Sequence, residues 1–162
     1  MTTTSDILNL LSEVTDPEIP VLDIVSMGIV RGVEVNPEGH VVVTITPTYS
    51  GCPAMRTIEE DIAEVLKEKE ISDFEIKTVL SPAWTTDWIT AEAREKLRAT
   101  GIAPPEGTSA DKSLLMGKSR DIACPRCGSR HTTMVSQFGS TACKSLYKCD
   151  DCKEPFDYFK CI

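Results

Sequence analysis

The sequence predicts an α+β fold, a small sheet covered by helices, followed by a cysteine-rich metal ribbon. Three observations lead to it. Two runs rich in branched residues, 28–35 and 40–46, flank the turn-forming Asn36-Pro37-Glu38-Gly39. Met55, Ile58, Ile62, Val65 and Leu66 trace one stripe at helical intervals. Six of the seven cysteines lie between Cys124 and Cys161, four of them as two C-x-x-C pairs.

Taken in order, Ile7, Leu8, Leu10, Leu11 and Val14 recur at helical spacing, and Thr4 or Ser5 can cap the helix they predict. Asp16-Pro17-Glu18-Ile19-Pro20 must be a loop, because two prolines forbid helix continuation. The hairpin comes next, with Val41, Val43 and Ile45 on one face of its second strand. A helix over 53–68, a third strand over 74–80 and a last helix over 87–99 complete the expected first domain, which ends at Gly101 before Pro104-Pro105. Residues 102–119 show no sustained period and read as a linker, with Leu114, Leu115 and Met116 available to dock on a neighbour. The expected organisation is thus 1–101, a linker over 102–119, and a ribbon over 120–162.

The chain of 162 residues carries a net charge of -8, unevenly spread. Residues 1–119 hold 10 basic and 20 acidic side chains, and residues 120–162 hold 7 and 5, so neither half offers the concentrated basic face that duplex binding requires. No apolar run approaches membrane-spanning length, and the N-terminus lacks a basic region leading into an apolar stretch. A soluble, cytoplasmic protein is expected.

Cys124-Pro125-Arg126-Cys127 and Cys149-Asp150-Asp151-Cys152 are separated by 21 residues, close to the spacing of a two-knuckle zinc site. Two residues between cysteines let the backbone turn both sulfurs toward one ion, and Gly128 relieves the strain just after. Four thiolates with no open position make a structural site, whose metal substitutes for a core that some forty residues cannot build. Four sulfurs accept zinc or iron; ligand type favours zinc. Cys143 and Cys161 read as small buried hydrophobes, and His131 as a polar loop residue. Phe138, Tyr147, Phe156, Tyr158 and Phe159 read as a miniature core around the metal, and Trp84 and Trp88 as core packing.

Cys52 stands apart, between a strand end and the best-supported helix. Pro53 suits the first helical turn, which puts Cys52 at or next to the N-cap, where free amides and the helix dipole favour a thiolate. Asp16 and Glu18 offer carboxylates on a rigid loop, although Asp before Pro most often initiates a turn. With two histidines in the chain, neither near Cys52, a cysteine-histidine hydrolase is a weak reading. No catalytic residue is assigned.

Asp16-Pro17-Glu18-Ile19-Pro20, Asp23-Ile24-Val25-Ser26-Met27-Gly28-Ile29-Val30 and Thr46-Pro47-Thr48-Tyr49-Ser50-Gly51-Cys52-Pro53 together resemble the family of iron-sulfur assembly proteins related to SufT, over about residues 5–100. With Phe138-Gly139-Ser140-Thr141-Ala142-Cys143-Lys144 and Glu154-Pro155-Phe156-Asp157-Tyr158-Phe159-Lys160, the whole chain is similar to the PaaD (PaaJ) family of accessory subunits of phenylacetyl-CoA epoxidase systems in phenylacetate degradation. The resemblance implies an iron-sulfur cluster assembly-like first domain and a maturation role toward oxygenase and reductase subunits, whose metal centres carry out the oxidation. It makes Cys52, with Asp16 and Glu18, the candidate binding site for transient iron or an iron-sulfur cluster, shared across a homodimer because one cysteine cannot close a coordination sphere. Zinc would be the structural metal of the ribbon. The rival expectation is a structural subunit that stabilises the oxygenase complex and handles no iron.

Overall fold

The computed structural model describes residues 2–107 and 121–160. Leu114, Leu115, Met116 and Cys161 lie outside the described residues. By backbone contacts the chain divides after Trp84 into two compact units.

The first unit opens with helix α1 (Thr4–Leu11). Its cap is Thr3, one residue before the expected positions: the Thr3 hydroxyl accepts the Asp6 amide at 3.2 Å, and the Asp6 carboxylate accepts the Thr3 amide at 2.9 Å. The Thr3 hydroxyl also donates to Asp6 Oδ2 at 2.7 Å, and this bond, followed by the one from the Thr3 amide, holds the Asp6 carboxyl below its ordinary value. Ile7, Leu10 and Leu11 form the buried face.

Strands β1 (Val30–Val35), β2 (Val41–Ile45) and β3 (Phe74–Thr78) form a sheet in the order β1-β2-β3. The β1–β2 pair is the expected antiparallel hairpin, and Gly39 takes the positive φ its turn requires. The β2–β3 pair is parallel, so a crossover is needed, and α2 (Ala54–Glu68) supplies it. Val41, Val43 and Ile45 on β2 are buried, as are Ile58, Ile62 and Leu66 on α2. The alternation and the helical stripe therefore supply much of one apolar core.

The second unit holds α3 (Ala91–Ala99) and strands β4 (Ile102–Ala103), β5 (Thr132–Ser136), β6 (Lys144–Cys149) and β7 (Pro155–Phe159). They form a sheet in the order β4-β7-β6-β5, antiparallel except for the parallel β4–β7 pair. Two sequence expectations differ here. The single helix over 87–99 is a 3-10 turn, Thr86–Trp88, followed by α3, because Ile89 is extended and the Thr90 hydroxyl starts a new helix by accepting the Ala93 amide at 3.2 Å. Ile102 and Ala103, at the expected start of the linker, are instead a strand, and contacts group them and α3 with the ribbon. Among the described residues, no helix is long and apolar enough to cross a membrane.

Candidate metal centre and the cysteine loop

Each ribbon knuckle is a turn closed by backbone hydrogen bonds. The Gly128 amide donates to Cys124 O at 2.9 Å and the Cys124 amide to Ser129 O at 2.8 Å; in the second knuckle the Cys149 amide donates to Glu154 O at 2.9 Å. The residue four places after the first cysteine has positive φ in both: Gly128 at 76° and Lys153 at 67°. Glycine advertised this conformation in the first knuckle; nothing in the sequence did in the second.

The two knuckles bring Cys124, Cys127, Cys149 and Cys152 together, with all four Sγ atoms within 4.8 Å of one another. Cys124 and Cys152 are 3.7 Å apart and Cys127 and Cys149 3.6 Å. Disulfides would bring sulfurs to about 2.05 Å. Tetrahedral zinc, with bonds of about 2.3 Å, sets its sulfurs about 3.8 Å apart, so the donor set and spacing fit that ion. The thiols are electrostatically unequal. Amides of Cys152 and Asp151 pull Cys149 down to about 7. Cys152 is pushed up to about 12: the Glu154 amide lowers it, but burial and the three neighbouring sulfurs outweigh that. Four crowded sulfurs without a cation are frustrated, and a divalent ion relieves this by replacing their protons.

Cys124 and Cys149 are buried, whereas Cys127 and Cys152 are exposed, so one side of the cluster meets solvent. The buried side continues into a core of Ala103, Ile122, Tyr147, Phe156 and Tyr158. Tyr147 stacks on Phe156 at 5.8 Å between centroids and meets Tyr158 edge-on at 5.7 Å. Phe159 is buried too, but Phe138 is 64% exposed and does not belong to the expected aromatic core. His131 is exposed and its Nδ1 faces Asp151, away from any ligand role in the cluster. Cys143 is buried beside the Thr141 hydroxyl at 3.0 Å.

In the first unit, Cys52 is half-buried and directly precedes Pro53, the N-cap of α2. Its amide donates to Tyr49 O at 3.2 Å and its carbonyl accepts the Met55 amide at 3.3 Å, which fixes the sulfur at the helix entrance. Asp16 is buried, and one carboxylate oxygen accepts the amides of Glu18 at 2.7 Å and Ile19 at 3.1 Å. It therefore builds the turn that Asp-Pro chemistry predicts. Asp23 does the same for Val25 and Ser26. Glu18 is half-buried on that turn. Among the described residues, the ribbon cysteines are the one group of three or more potential metal ligands, so Cys52, Asp16 and Glu18 are not gathered into a preformed set. Trp84, which packs in the core as expected, also donates Nε1–H to Met27 O at 3.0 Å.

Residues 108–160 match the family described as the PaaD zinc beta ribbon domain, and residues 4–80 the family described as iron-sulfur cluster assembly protein. A protein of Escherichia coli K12, described as a subunit of 1,2-phenylacetyl-CoA epoxidase, is 52% identical over 157 residues, spanning 97% of this chain and 92% of its own length. The chain belongs to this PaaD family. The chain thus joins an assembly-family unit to a ribbon, and the first match ends at residue 80, close to the end of the first compact unit at Trp84. Outside the PaaD family, the Fe-S protein maturation auxiliary factor SufT of Staphylococcus aureus is 42% identical over 82 residues, 50% of this chain and 92% of its own. A solved DUF59 domain from Bacillus anthracis superposes with a TM-score of 0.55 at 30% identity, covering 58% of this chain and 90% of that one.

Proposed function

We propose that this chain is an accessory maturation protein of a phenylacetyl-CoA epoxidase system, assisting iron-sulfur or di-iron centre assembly in the oxygenase and reductase subunits. The observation that carries this reading is the pairing, in one chain, of a unit matching the iron-sulfur assembly family with a closed four-sulfur ribbon, at 52% identity to a phenylacetyl-CoA epoxidase subunit over nearly the full length. Zinc holds the ribbon, bound by Cys124, Cys127, Cys149 and Cys152, and leaves no coordination position for chemistry. Iron or a cluster is cargo, and Cys52 is its transient ligand, losing its thiol proton to solvent as the sulfur binds. Half-exposure and too few protein ligands favour release, and a second copy of the chain would supply a second sulfur. Asp16 shapes the signature loop, which also carries Glu18.

The test is Cys52→Ser in cells that express the whole oxygenase system. The expected result is a folded variant whose client subunits contain several-fold less iron and turn over correspondingly less substrate. Unchanged iron content and turnover would remove Cys52 from the mechanism and leave the structural-subunit reading.

A further inference from the structure

The sheet of the second unit has one open side. Strand β5 lies at the end of the order β4-β7-β6-β5, and among the described residues no strand pairs with its outer edge. Edge strands are commonly protected by charged residues or proline, and Thr132-Thr133-Met134-Val135-Ser136 has neither. Its pairing with β6 slips between Met134 and Ser136, and Val135, on the outward face of the strand's alternation, is 59% exposed.

The loop that follows is held in place from below. Lys144 and Asp157 share the face of the sheet opposite the metal core, with the buried Lys144 Nζ 4.0 Å from Asp157 Oδ2. Asp157 also accepts the Ser140 hydroxyl at 3.0 Å, and the Gly139 amide donates to Lys144 O at 2.7 Å. A Cβ on Gly139 would stand 2.6 Å from Asp157 Oδ1, so the loop lies tight on the carboxylate. This anchoring presents Phe138 outward, with Lys160 Nζ 4.6 Å from its ring centroid. That ammonium donates to Gln137 O at 3.0 Å, and among the described residues no carboxylate pairs with it. Burial lowers the lysine's pKa, an effect Cys143 partly offsets.

We infer that the outer edge of β5, together with Phe138 and Lys160, accepts an extended segment of a partner protein as an added strand. The edge amides and carbonyls supply the backbone pairing, Val135 and Phe138 receive an apolar side chain, and Lys160 receives a carboxylate beside it. The occupant is thus an acidic, apolar strand, chosen by charge complementarity to a cation that no carboxylate among the described residues neutralises. The inference rests on the accessory reading above and names the surface through which the chain meets its client.

The experiment immobilises the full chain and presents the purified oxygenase and reductase components separately, at low and high salt, with hydrogen exchange measured on the complex. The expected result is that a component binds, amide exchange across Thr132–Ser136 slows at least ten-fold, and Phe138→Ala and Lys160→Glu each weaken binding at least ten-fold. The loss for Lys160→Glu should shrink at high salt. If a component binds with β5 exchange unchanged, or binds both variants as tightly as wild type, the edge-docking inference is overturned and the accessory reading stands. If neither component binds the wild-type chain, direct action on these clients falls, and the inference falls with it. Exchange on the wild-type complex decides the matter even if a variant misfolds.

Discussion

The two knuckles show how much one backbone position carries. Gly128 and Lys153 occupy equivalent places with positive φ, but lysine pays about 1–2 kcal/mol for that conformation and glycine does not. Lys153→Gly should therefore raise the stability of the second unit by about 1 kcal/mol in denaturant unfolding, and Gly128→Ala should lower it by a similar amount. No atom lies within 4 Å of a Cβ on Gly128, so that loss would be conformational and not steric. The Lys144–Asp157 pair obeys a different rule. Asp157→Ala strands a buried ammonium and should cost about 2–3 kcal/mol, somewhat under the figure for a fully buried pair because Asp157 is 25% exposed. Lys144→Met added to that variant should recover much of the loss, as chemical denaturation of the single and double variants would show. The clustering cysteines and Gly128 were legible from spacing alone. Lys153 and Lys144 were not, because a surface lysine, a left-handed lysine and a buried lysine are spelled alike.

Elements were legible where a period ran unbroken. The β1–β2 hairpin and α2 stand as the alternation and the apolar stripe predicted, since each pattern repeats over at least five residues. In the last helix, Asp87 to Ala99 contains no proline or glycine to mark an interruption. Its break comes from capping competition: Thr85 caps the 3-10 turn and Thr90 caps α3. Thr90→Ala should cost about 1 kcal/mol and fray α3, visible as faster exchange of the Ala93 amide. Arg94 binds the junction, donating from its guanidinium to Thr86 O at 2.9 Å and Pro105 O at 2.6 Å. No sequence period predicts a side chain that ties together carbonyls eight residues before it and eleven after it.

For the molecule as a whole, metal removal is the informative perturbation. The second unit has a modest core, Tyr147, Phe156 and Tyr158 with a few smaller residues, and two of the four cysteines belong to its buried side. A strong chelator reaches the site through the exposed Cys127 and Cys152. Chelation should melt the second unit while leaving the first, whose core is apolar throughout α1, α2 and β2. Circular dichroism and amide spectra should then show two separate transitions, with the first unit's signals unchanged by the chelator; a single transition, or a ribbon that keeps its aromatic packing without metal, would contradict this.

By itself the sequence determined the two cysteine knuckles, the first hairpin, the main helix and the Asp16 turn, each of which depends on residues a few positions apart. Tertiary structure alone decided that β4 pairs with β7 some 55 residues later, that α3 groups with the ribbon, that Phe138 faces solvent, and that Lys144 is buried against Asp157. The physical reason is range: spacing encodes local geometry, whereas burial and strand partnership are fixed when distant segments compete for the same apolar surface and the same backbone hydrogen bonds.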